Sequence, residues 1–230
     1  DLWHAVRMAG AVPVLADVGG DGIHPDCDTI RAVLTPNTKA VVVAHLFGGV
    51  CDIGDIVAAG VPVIEDCAMA LGAEYGRRKA GALGSAASVF SFYATKVIAS
   101  GEGGMVLSGD RDIAERVRDL SEYADKLDGI ARFNLKMTDS AAALGRSQLG
   151  RLESFIARRR NLAAGYTASF QGLGAGLPGD VPGGRHIFYR YVLNIPDVKT
   201  LRAALIERGV RAERPVHAPL SRMHGMVADC

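Results

Sequence analysis

Four short apolar runs follow one another between residues 39 and 108, and they limit what this chain can fold into. They are Lys39–Leu46 (KAVVVAHL), Val61–Asp66 (VPVIED), Ala87–Phe92 (ASVFSF) and Gly104–Ser108 (GMVLS). Each is of strand length, bounded by Gly or Pro, and apolar at successive rather than alternate positions. Strands buried on both faces of a sheet have that pattern. Segments of helical pattern separate several of them, so the connections are crossovers and the sheet is mostly parallel. The short GEGG connection, Gly101–Gly104, allows the last strand to run antiparallel. Ala11–Val18 (AVPVLADV) reads as a further strand ahead of these four.

Helical patterns fill much of the rest. Leu2–Ala9 and Cys27–Leu34 are short, the second with Asp26 or Asp28 at its start. Asp110–Leu120 is amphipathic. A longer pattern runs from Met137 to Tyr166, with Leu144, Leu149, Leu152, Ile156 and Leu162 at roughly helical spacing. Gly172–Gly184 is rich in Gly and Pro and reads as a loop. Ile187–Ile195 (IFYRYVLNI) alternates like a strand, Val198–Arg208 reads as a helix ended by Gly209, and Val210–Pro215 as a last strand. The expected architecture is α/β: a mostly parallel sheet flanked by helices over residues 1–158, then a smaller α+β part over 159–230.

Charge and cysteine usage remove several classes of function. With 26 Lys and Arg against 25 Asp and Glu, the chain lacks the basic excess of a nucleic-acid or anionic-membrane binder. Aromatic residues are too few for a stacking platform, and no apolar stretch reaches membrane-spanning length. Cys27, Cys51, Cys67 and Cys230 form no CxxC pair, so neither a zinc knuckle nor a disulfide scaffold is indicated, and a reducing cytoplasm is the expected setting. No HExxH, GxSxG or P-loop is present, which leaves metal, triad and nucleotide-loop chemistry unsupported. The chain starts at Asp1 and stops at Cys230, and is expected to be a piece of a longer protein.

Ligands of an open parallel sheet bind beyond the carboxyl ends of its strands. Asp66 ends VPVIED, and Ser91 and Lys96 lie in FSFYATK at the end of ASVFSF. Lys96 has no acid within five residues on either side. It is either a surface lysine with a snorkelling stem or an amine that loses its charge readily and attacks carbonyls. Asp66 either caps a helix over Cys67–Leu71 or pairs with a protonated ring nitrogen. The lysine and the acid together suit pyridoxal phosphate (PLP), which needs a lysine Schiff base and an acidic pyridinium partner. Ser91 and nearby backbone N–H groups can hold a phosphate, or its hydroxyl is satisfied by backbone. His45, at another strand end, is a ligand, a base or a polar core residue.

FSFYATK followed by GEGG resembles the lysine segment of the DegT/DnrJ/StrS aminotransferases. AGAVPVLADV, TPNTKAVVVAHLFG, VIEDCAMALGAEYGRRKAGALG, FNLKMTD and QLGRLESFIARRRNLAAGY are similar to family segments and stand in family order. The resemblance runs from about residue 5 to 221. It implies the PLP-transferase fold and transfer of an amino group from an amino acid, glutamate by family habit, to a keto sugar, mostly nucleotide-linked. By it, Lys96 carries PLP and shuttles the proton, Asp66 pairs with the pyridine nitrogen, and Ser91 binds the phosphate. Asn134 reaches the phosphate of a neighbouring subunit's cofactor, so a homodimer is implied. His217, in VHAPL, matches a segment that approaches the substrate, and is otherwise a loop histidine.

Departures from the family pattern are specific. Met69 stands in the cofactor-facing place where Gln or His is usual, and can pack but not donate a comparable hydrogen bond. Val97-Ile98-Ala99 is less polar than usual after the lysine, Lys136 replaces an Arg and Ala141 a Gln. Roughly the first third of the family's large domain, with a Gly-Ser/Thr phosphate turn and a ring-stacking aromatic, has no counterpart here, nor have the last helices of the small domain. Lys96 itself favours transamination, since His there marks the family's sugar dehydratases. Two other readings are compatible with these residues: an incomplete, catalytically silent fragment, and an aminotransferase for a cyclitol or another ketone.

Overall fold

The computed structural model describes residues 2–215. After helix α1 (Leu2–Met8), residues 11–18 run extended but join no sheet. The strand expected there is absent: no described strand lies beside it to form a ladder, and Val12, Val14, Leu15 and Val18 are exposed. Helix α2 (Cys27–Arg31) opens on a reciprocal cap. The Asp26 side chain accepts from the Thr29 N–H, and the Thr29 hydroxyl oxygen accepts from the Asp26 N–H.

Strand β1 (Val41–Ala44), helix α3 (Gly54–Ala58) and strand β2 (Val63–Asp66) form the first crossover. A small hairpin follows, β3 (Glu74–Tyr75) and β4 (Arg78–Lys79), then β5 (Ala87–Ser91) and β6 (Gly104–Leu107). The main sheet has the order β1-β2-β5-β6. Its first three strands are parallel, with Ala44 opposite Asp66 and Asp66 opposite Val89, and β6 runs antiparallel to β5. Val43, Ile53, Ile56 and Val63 are fully buried against it, joined by Ile98, Ile156 and Ile187. Burial on both faces does not extend to the edge, however: every residue of β6 is exposed.

Asp110 caps α4 (Arg111–Leu120), and Thr138 caps α5 (Asp139–Leu149). The long helix expected from Met137 to Tyr166 is two helices, because the chain turns at Gly150 before α6 (Leu152–Phe170). Glycine is a weak helix former, and here it marks the break. Strand β7 (Gly184–Arg185) pairs with β3 in a second, antiparallel sheet of order β4-β3-β7. Four side chains lock that sheet to α6. Lys79 Nζ bonds Glu74 at 2.7 Å and Glu153 at 3.1 Å, and Arg185 bonds the same two acids at 3.2 Å each.

Ile187–Ile195 is not a strand. Phe188 has a φ of 50°, and the Ile187 and Arg190 N–H groups donate to the Gly48 and Phe47 carbonyls of the loop after β1. Helix α7 (Val198–Glu207), capped by Asp197, ends before Gly209 at a φ of 73°. Val210–Pro215 forms no strand.

Two compact units divide the chain. Both sheets belong to the one made of residues 16–163 and 179–190. The other comprises residues 1–15, 164–178 and 191–230. In its described part, Tyr166, Phe170 and Tyr191 pack their rings with centroids 5.3–6.2 Å apart, and Gly176 bridges Asn194.

Candidate active site

The parallel register brings Asp66 and Ser91 to one end of the main sheet. Asp66 is the last residue of β2 and lies opposite Val89, two residues before Ser91 closes β5. Asp66 caps no helix, since residues 67–72 form turns. Its Oδ1 instead accepts the Ala68 N–H at 2.9 Å. That bond orients the carboxylate and uses one of its oxygens. The His45 N–H donates to the Asp66 carbonyl, and the Cys67 N–H donates to Val89, so the strand end is fixed from both sides.

Lys96 sits on a loop closed by its own hydrogen bonds. The Phe92 N–H donates to the Gly103 carbonyl, the Ser100 N–H to Phe92, and the Lys96 N–H to Tyr93. Val97 and Ile98, directly after the lysine, are buried in the hydrophobic cluster, and the Ala99 N–H donates to Gln148 Oε1 on α5. The apolar VIA segment is therefore the anchor of the loop. Lys96 is half-buried, has no carboxylate partner among the described residues, and holds Nζ 5.5 Å from the centroid of the Tyr189 ring. Tyr189 is buried, and its hydroxyl lies 3.4 Å from Thr95 Oγ1. The expected site did not include Tyr189. Phe188 turns the backbone so that the ring comes to Lys96, and no local pattern marks that.

Ser91 Oγ accepts the Tyr93 N–H at 3.4 Å and is half-buried. Met69 packs against the hydrophobic cluster from the turn after β2. Asn134 is exposed, on the connection between α4 and α5, beside the exposed side chains of Phe133 and Leu135. That connection is shaped by Arg132, which forks onto both Asp119 and Asp128. His217 lies outside the described residues.

Beneath the site, His45 proves to be a polar core residue. Its Nδ1 accepts the Cys51 N–H at 3.1 Å, so Nε2 carries the proton and donates to Glu65 Oε2 at 3.0 Å. Both side chains are fully buried. Glu65 also accepts from the Gly81 and Leu83 N–H groups and the Ser85 hydroxyl. Burial pushes its acidity down, but the bonds from His45, Ser85 and Gly81 outweigh that and hold the carboxyl below the usual carboxylate range. Cys67 Sγ completes a group of three potential metal donors within 4.8 Å of one another. The carboxylate is already saturated, and burial pushes the Cys67 thiol well up, so the trio is a satisfied polar core rather than an open ligand set.

Known proteins match over nearly the whole chain. The model of the DegT/DnrJ/EryC1/StrS aminotransferase family covers residues 2–229. A GDP-perosamine synthase of Caulobacter vibrioides is 34% identical over 236 residues, which are 96% of this chain and 63% of that protein. An L-glutamine:2-deoxy-scyllo-inosose aminotransferase of Streptomyces kanamyceticus is 33% identical over 238 residues, 92% of this chain and 56% of its own. Among solved structures, DesV of S. venezuelae in complex with a ketimine intermediate superposes with a TM-score of 0.85 at 32% identity, over 91% of this chain and 59% of DesV. The chain thus spans about three fifths of the length of these relatives. With its mostly parallel sheet and its lysine loop at the carboxyl end of β5, the chain belongs to the DegT/DnrJ/EryC1/StrS aminotransferase family.

Proposed function

We propose that this chain is the central part of a PLP-dependent aminotransferase that moves an amino group from an amino acid, glutamate by our reading, to a keto sugar carried on a nucleotide. The supporting observation is the convergence of Asp66, Ser91 and Lys96 at one sheet end, on neighbouring parallel strands and the loop that follows. The donors suit PLP. Among the described residues the Asp66 side chain takes one hydrogen bond, from the Ala68 N–H to Oδ1, which leaves Oδ2 for a ring N–H. Among the described residues Lys96 has no carboxylate to hold it away from a carbonyl carbon. The Ser91 hydroxyl stands where strand β5 ends.

Bound there, PLP supplies an electron sink for negative charge developing at the substrate carbon. Asp66 would hold a proton on the ring nitrogen by pairing with it. Lys96 would hold the group through its carbonyl carbon, the carbonyl oxygen leaving as water, and, once an incoming amine displaces it, its free amine would be placed to move a proton between carbons. The donor leaves before the acceptor enters, so the kinetics are ping-pong. Met69 would pack beside the ring without donating a hydrogen bond, and Asn134 would reach across to the phosphate in a second copy. Its exposure, with Phe133 and Leu135 exposed on either side, supports a homodimer. His217 stays a substrate-side candidate by sequence alone. The free thiols Cys27, Cys51 and Cys67 and a structure in which no described helix is long and apolar enough to cross a membrane fit a cytoplasmic setting.

A cyclitol ketone is the second reading of the acceptor, favoured by the relative named for 2-deoxy-scyllo-inosose. An absorbance spectrum of the full-length protein with PLP, before and after glutamate, tests the whole reading. The expected result is a visible band that Lys96→Ala abolishes and glutamate bleaches. A folded protein that shows no band overturns it in favour of a silent member of the fold. Turnover of a nucleotide-linked keto sugar against 2-deoxy-scyllo-inosose then separates the two acceptors.

A further inference from the structure

Three cationic side chains surround Tyr189, and among the described residues none has a carboxylate partner. Lys96 Nζ lies 5.5 Å from the ring centroid and Arg190 Cζ lies 5.1 Å from it, both within reach of the ring's negative face. Arg159, on α6, donates to the carbonyls of Phe188 at 3.4 Å and Tyr189 at 3.2 Å. It is half-buried, and among the described residues it bonds to carbonyls with no acid to match its charge. Burial and the nearby charge of Arg190 both pull its guanidinium below the usual range. Its neighbour Arg160 shows the ordinary solution, a fork-to-fork pair with Asp180 at 3.0 and 2.9 Å.

Two guanidiniums that repel one another, beside a lysine and without a neutralising acid, make a local excess of positive charge in a chain whose charges otherwise balance. Tyr189 is buried and braced by Thr95, so it fixes the direction of Arg190, while the Arg190 head itself is exposed. An exposed guanidinium held in one orientation is prepared to receive a bidentate oxyanion.

We propose that Arg190, braced on the Tyr189 ring beside Lys96 and backed by Arg159, recognises an oxyanion of the substrate whose reacting carbon meets Lys96. The inference rests on the aminotransferase reading and adds to it a residue that selects anionic substrates. The oxyanion is a carboxylate if Arg190 serves the amino donor, and a phosphate if it serves a sugar nucleotide. Arg159 is a positioning residue: it holds the backbone of Phe188 and Tyr189 and so the angle of the ring.

The test uses the full-length protein loaded with PLP and reduced with borohydride, which fixes Lys96 and fills the cofactor's phosphate site. Calorimetric titration with glutarate stands for the donor's carboxylates, and titration with inorganic pyrophosphate stands for a sugar nucleotide. One of the two binds; Arg190→Gln weakens that one by about tenfold or more, and Arg190→Lys, which keeps the charge but loses the planar fork, weakens it by a smaller factor. Which probe is affected names the source of the oxyanion. Equal binding by wild type and Arg190→Gln overturns the proposal, as does binding of neither probe by the wild-type protein. A protein that takes up no PLP is recognised in its absorbance before any titration, so failure of the aminotransferase reading is seen separately.

Discussion

Strands β2 and β6 belong to one sheet and have opposite characters. Strand β2 ends in two acids, Glu65 and Asp66, yet Glu65 is among the most deeply buried residues of the molecule. Strand β6 is Gly-Met-Val-Leu, and its Met105, Val106 and Leu107 are 40–49% exposed. Sequence polarity would place them the other way round. Hydrogen bonding and neighbours make the difference. Glu65 is covered because His45, Gly81, Leu83 and Ser85 satisfy its carboxylate, whereas β6 pairs only with β5, and no described strand lies along its other edge. A buried charge is tolerated where every lone pair has a donor, and an apolar strand is buried only when something packs on it.

The sharpest way to break that contrast is Glu65→Leu. It keeps the bulk, removes the acceptor, and leaves the His45, Gly81, Leu83 and Ser85 donors without partners. The expected loss is about 3–5 kcal/mol of stability in denaturant unfolding, with Glu65→Gln losing less because it keeps one acceptor. Because the folded carboxyl sits below its ordinary value, its stabilising effect is present above about pH 4.3 and is lost as pH falls through the folded value.

Acid also separates the polar interior from the rest through His186. Burial pushes this imidazole down to about 4. The folded state therefore keeps it neutral while the unfolded chain takes up a proton. Stability falls on the order of 3 kcal/mol between about pH 6.5 and 4, then gains no further loss from this group. His186→Asn keeps an acceptor for the Phe188 N–H and flattens that limb of the pH-stability curve.

Gly48→Ala sharpens the comparison in the loop after β1. The residue has a φ of 102°, and an added Cβ meets the Tyr189 backbone nitrogen at 2.6 Å. A loss of roughly 1–3 kcal/mol is expected, together with a displaced Tyr189 visible as altered tyrosine fluorescence. The smallest effect falls on the exposed strand. Val106→Lys changes stability by no more than about 0.5 kcal/mol and lowers self-association in sedimentation, since a charge on an open edge disfavours strand pairing.

Much of this was legible in the sequence because it is local. The four apolar runs became β1, β2, β5 and β6, the helix expected to start at Asp26 or Asp28 is capped by Asp26 and the one expected from Asp110 by Asp110, and strand ends placed Asp66 and Ser91 at one end of the sheet, with Lys96 on the loop that follows. The errors are non-local. Ala11–Val18 is apolar and extended, but a strand is defined by a partner, and none is described. IFYRYVLNI alternates like a strand, yet its Ile187 and Arg190 N–H groups go to a loop more than 130 positions earlier. The long helix divides at Gly150, where spacing alone kept the apolar pattern running. The same long-range folding brings Lys96, Arg190 and Arg159 to Tyr189, so the cationic surround could not be read from any window of sequence.

The ring of Lys79, Glu74, Arg185 and Glu153 has a kinetic consequence. Its four members come from three distant stretches of chain, with 111 positions between Glu74 and Arg185, and each cation bridges both acids. Such a clasp closes only after α6 and β7 have reached the hairpin, so it contributes little to the transition state of folding and much to the survival of the finished molecule. Interactions of that kind set the unfolding rate, and exposed ion pairs weaken as salt rises. Salt should therefore shorten the lifetime of the native state while leaving the rate at which it forms nearly untouched.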